Sequence, residues 1–574
     1  MKKLVLFIIL ITSFSSLLFG DISFDQALID TQTAKVRLDK EFDEGSNYEL
    51  NNVNQQQTEN LFKLCKIWGY VKYNHPEIAK GNINWDYELF RILPAINSEG
   101  FNIEVYNWIK SIGKLNKENK EKENLYDIKL HPNTEWINNE NFLSKELSEE
   151  LIKINNSIKD ESNYYIDFVQ NIGHPIFKNE NPYPNMKWTD SGYKLLALFR
   201  YWNMIEYFFP YKHLIDEDWD NVLKNFIPKV IECQDELSYQ LTMLELIGEI
   251  QDTHANIWQQ EVLSQFYGKN IAPIEINFIE NKAVVVRISE QLDGTLRIKI
   301  GDVITEISGV KTDELVEEKI KYCPASNYPT QLRDVAKRLL RTNEDFLQVT
   351  IENEDTNFQE RISTVKVGEI NFWEKELPSH KELAGDIGYI YPGTLKKEEV
   401  YKIMESFIHK KGLIIDLRCY PYDFIVFSFG KYLMPKPTEF AKFTNGSLEN
   451  PGQFSFRETY KVGENNNDYF KGKVIILINE TTWSLAEYTA MALRVAPKAT
   501  VLGSTTAGAD GNFSTIILPG NIRTGISGLG VYYPDGTETQ RVGIIPDIEL
   551  KPTIEGIRNG QDELLEKAIE LINE

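Results

Sequence analysis

Cysteine is scarce in this chain, with four in 574 residues, at Cys65, Cys233, Cys323 and Cys419. Their wide spacing fits no zinc or dithiol pattern, and the text around them is that of buried core, so four free and inert thiols are expected. Positive charge is also in short supply: 62 Lys and Arg stand against 85 Asp and Glu, a net charge of -23. Nucleic acid demands clustered cations for its phosphates, and no basic groove is visible, which excludes a nucleic-acid partner. Long apolar runs are missing beyond the first residues, which excludes a membrane-embedded body. HExxH, Walker A, CxxC pairs, GxSxG and a GxGxxG after a strand are all absent. The acidic residues show no spacing that separates a metal site or a glycosidase pair from solvated surface, so no metal or cofactor is expected.

What remains is ordinary globular text, 42% hydrophobic and 26% charged. The length suggests roughly three to four domains. Lys2 and Lys3, an apolar stretch from Leu4 to Ile11 and Gly20 ahead of Asp21 read as a secretory signal over residues 1–20. An uncleaved anchor is the alternative reading of that stretch. With the signal removed, the expectation is a soluble, exported chain, periplasmic or extracellular, free of the membrane and of open oligomeric state.

A repeat is legible in residues 21–261. Trp68, Tyr73, Pro76, Trp85, Asp86 and Pro94 recur as Trp202, Tyr207, Pro210, Trp219, Asp220 and Pro228, every pair offset by 134 residues. Each copy, 64–96 and 198–230, reads as a helix stopped near a proline, then a second helix opened by Trp-Asp. The expectation is a duplicated helical hairpin packing on itself. A charge run at Lys114 to Asn124 is expected to be solvated. Residues 132–190 are expected to wrap the helices.

From 262 to 358 the runs turn short and β-rich, with Val284-Val285-Val286 and Leu347 to Ile351 strand-like. Between them, Ile300-Gly301-Asp302-Val303-Ile304 and Ile307-Ser308-Gly309-Val310 set one turn glycine before a strand and one after it. This phrase resembles the PDZ domains of exported proteases, which capture extended peptide tails. Their usual carboxylate loop is not recognisable here.

Residues 359–574 alternate strands (Ile387 to Tyr391, Leu413 to Leu417, Val474 to Ile478, Thr500 to Leu502, Ile548 to Leu550) with helices (Lys397 to Lys410, Leu485 to Val495, Gln561 to Asn573). That alternation predicts a mostly parallel sheet covered by helices, with reactive groups at the carboxyl ends of strands. Ser484 stands just past one such end, at the mouth of a helix whose free N–H groups can hold a developing oxyanion. A serine there serves most often as a simple cap.

Three segments together resemble the carboxyl-terminal processing peptidases and tricorn-core serine peptidases. They are Gly388-Tyr389-Ile390 with Leu413 to Arg418, Asn479 to Glu487, and Leu502 to Gly508 with Gly543 to Ile548, following the PDZ-like text in the right order. The resemblance implies a multidomain α+β protein: a helical N-terminal region, a PDZ-like domain and a crotonase-like α/β core. It makes Ser484 the nucleophile. The lysine of the processing branch is replaced by Ala509, so a Ser–Lys dyad is absent. The tricorn branch takes a histidine from a hydroxyl-His-Ala phrase after a Gly-Glu helix, and Gly248-Glu249-Ile250-Gln251-Asp252-Thr253-His254-Ala255 matches it. A neutral imidazole suits removal of the serine proton, so His254 is the expected base. The other histidines lack such context.

The resemblance places an orienting glutamate where this chain has Gln540, which can hydrogen-bond but cannot balance an imidazolium charge. Glu538 or Asp510 could supply that charge. For the oxyanion, Leu485 N–H is one expected donor. The family's Asn-Gly-Gly loop is here Cys419-Tyr420-Pro421-Tyr422-Asp423, leaving a backbone N–H near Tyr422 as the second. The implied function is an exported serine endopeptidase that cleaves peptides or protein tails through an acyl-enzyme. A non-catalytic ligand- or peptide-binding protein on the same scaffold is the alternative.

Overall fold

Two pairs of tryptophans organise the helical half. In the computed structural model, which describes residues 35–117, 127–159, 162–289, 296–354, 356–370 and 377–574, Trp68 Nε1 donates to the Trp85 carbonyl at 3.0 Å and Trp85 Nε1 to the Trp68 carbonyl at 2.9 Å. Trp202 and Trp219 exchange the same bonds at 2.7 and 3.1 Å. Each indole buries its apolar body and satisfies its one donor on its partner's backbone. The helices that carry them, Gln55–Asn74 with Trp85–Ile92 and Ser191–Phe208 with Trp219–Glu232, begin at Asn54, Asn84, Asp190 and Asp218, whose side chains accept from the first-turn N–H groups. The two long helices cross where Gly69 faces Asn203, its counterpart in the repeat, and a Cβ on Gly69 would overlap the Asn203 side chain. The signal-like residues 1–20 and most of the charge run lie outside the described residues.

A cluster of four charged groups is buried inside this region. Arg200 pairs with Asp86 and Glu180, each at 2.8 Å, and Lys72 pairs with Glu180 at 2.6 Å beneath the Tyr165 ring. Arg200 also donates to the Ile517 carbonyl at 3.0 Å. Ile517 lies in an antiparallel hairpin, Phe513–Leu518 with Ile522–Ser527, whose Ile516, Leu518, Ile522 and Ile526 join the helical core. A hairpin from the end of the chain therefore belongs, by packing, to its beginning. The strand Ile128–Leu130 makes the reverse exchange, pairing with Phe454–Phe456.

The middle body is an antiparallel sheet ordered Asn357–Ser363, Phe346–Glu352, Val303–Ile307, Lys282–Ile288, Ile274–Ile279. Gly301 (φ 89°) and Gly309 (φ 81°) bracket the strand Val303–Ile307, as the spacing of the text implies. The boundary expected at 358 falls inside the last strand. Seven consecutive pairs, from Phe346↔Ser363 to Glu352↔Asn357, hold that strand to the middle sheet.

The C-terminal sheet is ordered His380–Leu383, Ile387–Ile390, Gly412–Asp416, Lys473–Ile478, Ala499–Gly503, Ile548–Glu549, parallel after its first pair. Val400–Phe407, Val426–Leu433 and Leu485–Leu493 cover one face, and Glu563–Asn573 the other. Burial on both faces explains why the strand text is continuously apolar rather than alternating. The loops after Asp416, Ile478 and Gly503 gather at the carboxyl ends of adjacent strands. All four cysteines are buried and unpaired, and burial pushes each thiol up. Among the described residues, no helix is long and apolar enough to cross a membrane.

Arg200→Met would take its paired cation from Asp86 and leave Glu180 with Lys72 alone in a closed interior. The expected loss is about 3–5 kcal/mol, read as a lower urea midpoint in tryptophan fluorescence; an unchanged midpoint would show that the cluster contributes nothing net.

Candidate active site

Ser484 ends the turn that leaves the strand Lys473–Ile478. Thr482 holds that turn by donating from Oγ1 to the Leu417 carbonyl at 2.7 Å. Ser484 has φ 51° and ψ -117°, a backbone region that a residue with a Cβ adopts only when its surroundings impose it. The imposing groups are specific. Its N–H faces both the Ala509 carbonyl and the Glu487 carboxylate at 3.1 Å, and its carbonyl accepts from Tyr488 N–H at 3.0 Å. The next N–H, of Leu485, has no acceptor among the described residues and stands at the positive end of the helix Leu485–Leu493.

Glu487 is 1% exposed and ties this turn to the following loop. Besides Ser484 N–H it accepts from Gly508 N–H at 2.8 Å, Ala509 N–H at 3.0 Å and the Thr506 hydroxyl. Burial raises its pKa, while these four donors oppose the rise. Gly508 (φ 67°) sits so close to the Arg541 backbone that a Cβ would clash.

His254 arrives from the helical region. Asp252 opens a tight turn by accepting His254 N–H at 3.1 Å, while Ala255 N–H reaches the Asp252 carbonyl at 2.9 Å. Thr253 Oγ1 donates to the Ala507 carbonyl at 3.1 Å, docking the turn on the loop that Glu487 holds. The imidazole lies against the Trp483 ring, with centroids 5.5 Å apart, and against Phe513 at 6.1 Å. His254 and Ser484 are thus brought to one place from sequence positions far apart. They share no hydrogen bond in this conformation, a looseness common in resting sites.

The orientation of the ring follows from a chain of bonds. Ser527 Oγ donates to Asp252 Oδ1 at 2.8 Å, so its lone pair faces His254 Nδ1, also at 2.8 Å. Nδ1 must then carry the hydrogen, which leaves Nε2 with a free lone pair. Burial lowers the imidazole pKa and the Asp252 carboxylate partly opposes that fall, so the ring is neutral near neutral pH. Asp252 itself is fully buried, and Oδ2 accepts Ser527 N–H at 2.6 Å.

Gln540 donates to Asp252 Oδ1 at 3.3 Å and does not touch the imidazole, so it acts one step behind the ring. Glu538 is occupied by Lys129 at 2.7 Å and His213 at 2.9 Å. Asp510 is buried beside Glu487, with Gly511 N–H on one oxygen at 2.7 Å. Neither carboxylate balances His254. The acid in that place is Asp252, which reasoning from sequence passed over although it stands two residues before His254, where Asx turns form. Ser527 was missed with its hairpin, whose signal is Pro519-Gly520-Asn521 between two alternating runs. Tyr422 needs correction too: its N–H donates to the Pro392 carbonyl at 2.9 Å and is not free for an oxyanion. Among the described residues, no cluster of three or more His, Cys, Asp or Glu is arranged to hold a metal ion.

Residues 386–550, which include Ser484, Glu487 and Ser527, match the model of Peptidase family S41. The chain carries a C-terminal domain of that family. Among solved structures it is similar to mature CPAF complexed with lactacystin, at 14% identity over 67% of this chain and 98% of that one, with a TM-score of 0.53. The cpaf s499a mutant is similar at 15% identity over the same shares, with a TM-score of 0.52. At such identity the likeness is one of fold. No curated protein matches the chain. The family match supports a hydrolase that cleaves peptide bonds through a serine.

Asp252→Asn removes the negative charge that favours the protonated ring, so the already low His254 pKa falls further. If His254 is the base, the acid limb of kcat/KM is expected to move to lower pH, while plateau kcat drops by up to about 10⁴-fold because an imidazolium at 254 would lose its counter-charge. An unchanged pH profile would remove Asp252 from the site.

Proposed function

We propose that this chain is a serine endopeptidase in which Ser484 attacks the peptide carbonyl and His254 is the general base. The observation that carries the reading is the strained Ser484 turn at a helix mouth, next to Trp483, on whose ring packs an imidazole with its Nδ1 committed through Ser527 to Asp252. In the first step the Ser484 proton passes to His254 Nε2 as the Oγ–carbon bond forms and the carbonyl π pair moves onto oxygen. Leu485 N–H supports that oxyanion. Collapse breaks the carbon–nitrogen bond, and His254 returns the proton to the leaving amine. Water, activated by the same imidazole, then releases the acyl group.

The middle body, PDZ-like in its sequence phrase, is suited to presenting peptide to this site. Asn327 Nδ2 donates to the Thr506 carbonyl at 2.8 Å, Arg333 to the Glu480 carbonyl at 2.8 Å, and Ser326 exchanges bonds with Thr253. The N-terminal signal-like text fits work outside the cytoplasm. A non-catalytic binder on this scaffold is the competing reading, favoured by the missing Ser484–His254 bond and the occupied Tyr422 N–H.

A fluorophosphonate probe separates the two. Wild type is expected to label and to hydrolyse casein, while Ser484→Ala and His254→Ala each lose both, with turnover down by roughly 10⁴-fold or more. A Ser484→Ala protein that still cleaves at the wild-type rate ends the proposal.

A further inference from the structure

An acyl-transfer site with a single oxyanion donor is incomplete, since each donor contributes a large factor to turnover. Leu485 N–H supplies one here. The loop expected to supply the second contains Pro421, which has no N–H, and Tyr422, whose N–H is bonded to Pro392 and whose side chain is 43% exposed. Tyr420 turns the other way. It is half-buried, its ring packs with centroids 5.3 Å apart on Trp483, the residue before Ser484, and its phenol is near enough for the Ser484 hydroxyl to lower its pKa against the larger rise from burial.

We propose that the Tyr420 phenol is the second oxyanion donor, paired with Leu485 N–H. The inference rests on the serine-peptidase reading of Ser484. The oxyanion forms two bonds from Ser484 Oγ, so a group that lies beside Oγ before attack is within reach of the new charge after it. Burial pushes the phenol up to about 12, and it therefore stays a protonated donor through the physiological range. It donates without giving up its proton, because the oxyanion exists only until the carbon–nitrogen bond breaks. Trp483 packs against both the Tyr420 ring and the His254 ring, at 5.3 and 5.5 Å. One indole thus sets the donor and the base with respect to the serine that follows it. A phenol in this place removes the need for the glycines that a backbone donor would require.

Tyr420→Phe keeps the ring and its packing on Trp483 and deletes only the O–H. The test uses the full chain, a fluorogenic peptide taken from a casein site that the chain cuts, and a peptide boronic acid, which forms a charged tetrahedral adduct on the serine. Expected for Tyr420→Phe is a fall in kcat of roughly 10²-fold with KM and melting temperature little changed, and a parallel loss of boronate affinity. Tyr420→Phe with wild-type kcat overturns the inference. So does a variant that loses turnover yet keeps its boronate affinity, which would assign Tyr420 a structural role. If wild type labels with fluorophosphonate at Ser484 and the variant is unimpaired, only the Tyr420 assignment fails. If wild type neither labels nor turns over, the peptidase reading fails and takes this inference with it.

Discussion

A carboxylate sealed from water must gather donors, and the Asp252 side chain does so from three directions. It takes the N–H and hydroxyl of Ser527 from the hairpin, the N–H of His254 from its own turn, and the amide of Gln540 from the loop before Gly543. Burial of an unpaired charge is too costly for any of these to be dispensable. The charge therefore locks three distant stretches of chain together, and the imidazole follows from that lock. Glu487 plays the same part for the serine, with four donors drawn from its own turn and the loop at 506–509. Two buried acids, one bonded to the backbone of Ser484 and one to that of His254, define the site.

Much of the frame was legible in the text. The Trp-Asp repeat marked two pairs of helices because buried indoles recur at the same spacing. The apolar strands and the glycines at 301 and 309 marked turns and sheets because only certain residues tolerate those positions. Ser484 and His254 are assigned through resemblance to known peptidases rather than through local chemistry, since neither a serine at a helix mouth nor a histidine after a helix is distinctive. The partners of His254 were not legible. Asp252 carries meaning only once its turn is formed, and Ser527 acquires its role through a hairpin that packs across the molecule, a relation that no local pattern records. The Tyr422 N–H was misplaced for a similar reason. Proline at 421 hinted at a rebuilt loop, but the Pro392 carbonyl that captures this N–H lies on another segment.

Departures from the family's pattern fall beside Ser484, Asp252 and Trp483. Where the family pattern places a lysine, a glutamate and a glycine pair, this chain has Ala509, Gln540 and a tyrosine-rich loop. Tyr420 and Trp483 pack together beside the serine, and the buried carboxylate next to His254 comes from within the histidine's own turn. Such substitutions keep the architecture of the parallel sheet while changing which groups touch the reacting atoms.

The exchange of strands between the two ends of the chain has a further meaning. The alcohol belongs to the C-terminal sheet and the imidazole to the helical region, and each region takes in a strand or hairpin from the other's stretch of chain, so neither end is a finished object by itself. A single nick in an exposed loop, far from either group, could loosen that embrace and silence the chemistry while leaving every reactive side chain intact. Competence of this kind belongs to the assembled whole, and a cell could end it with one cut.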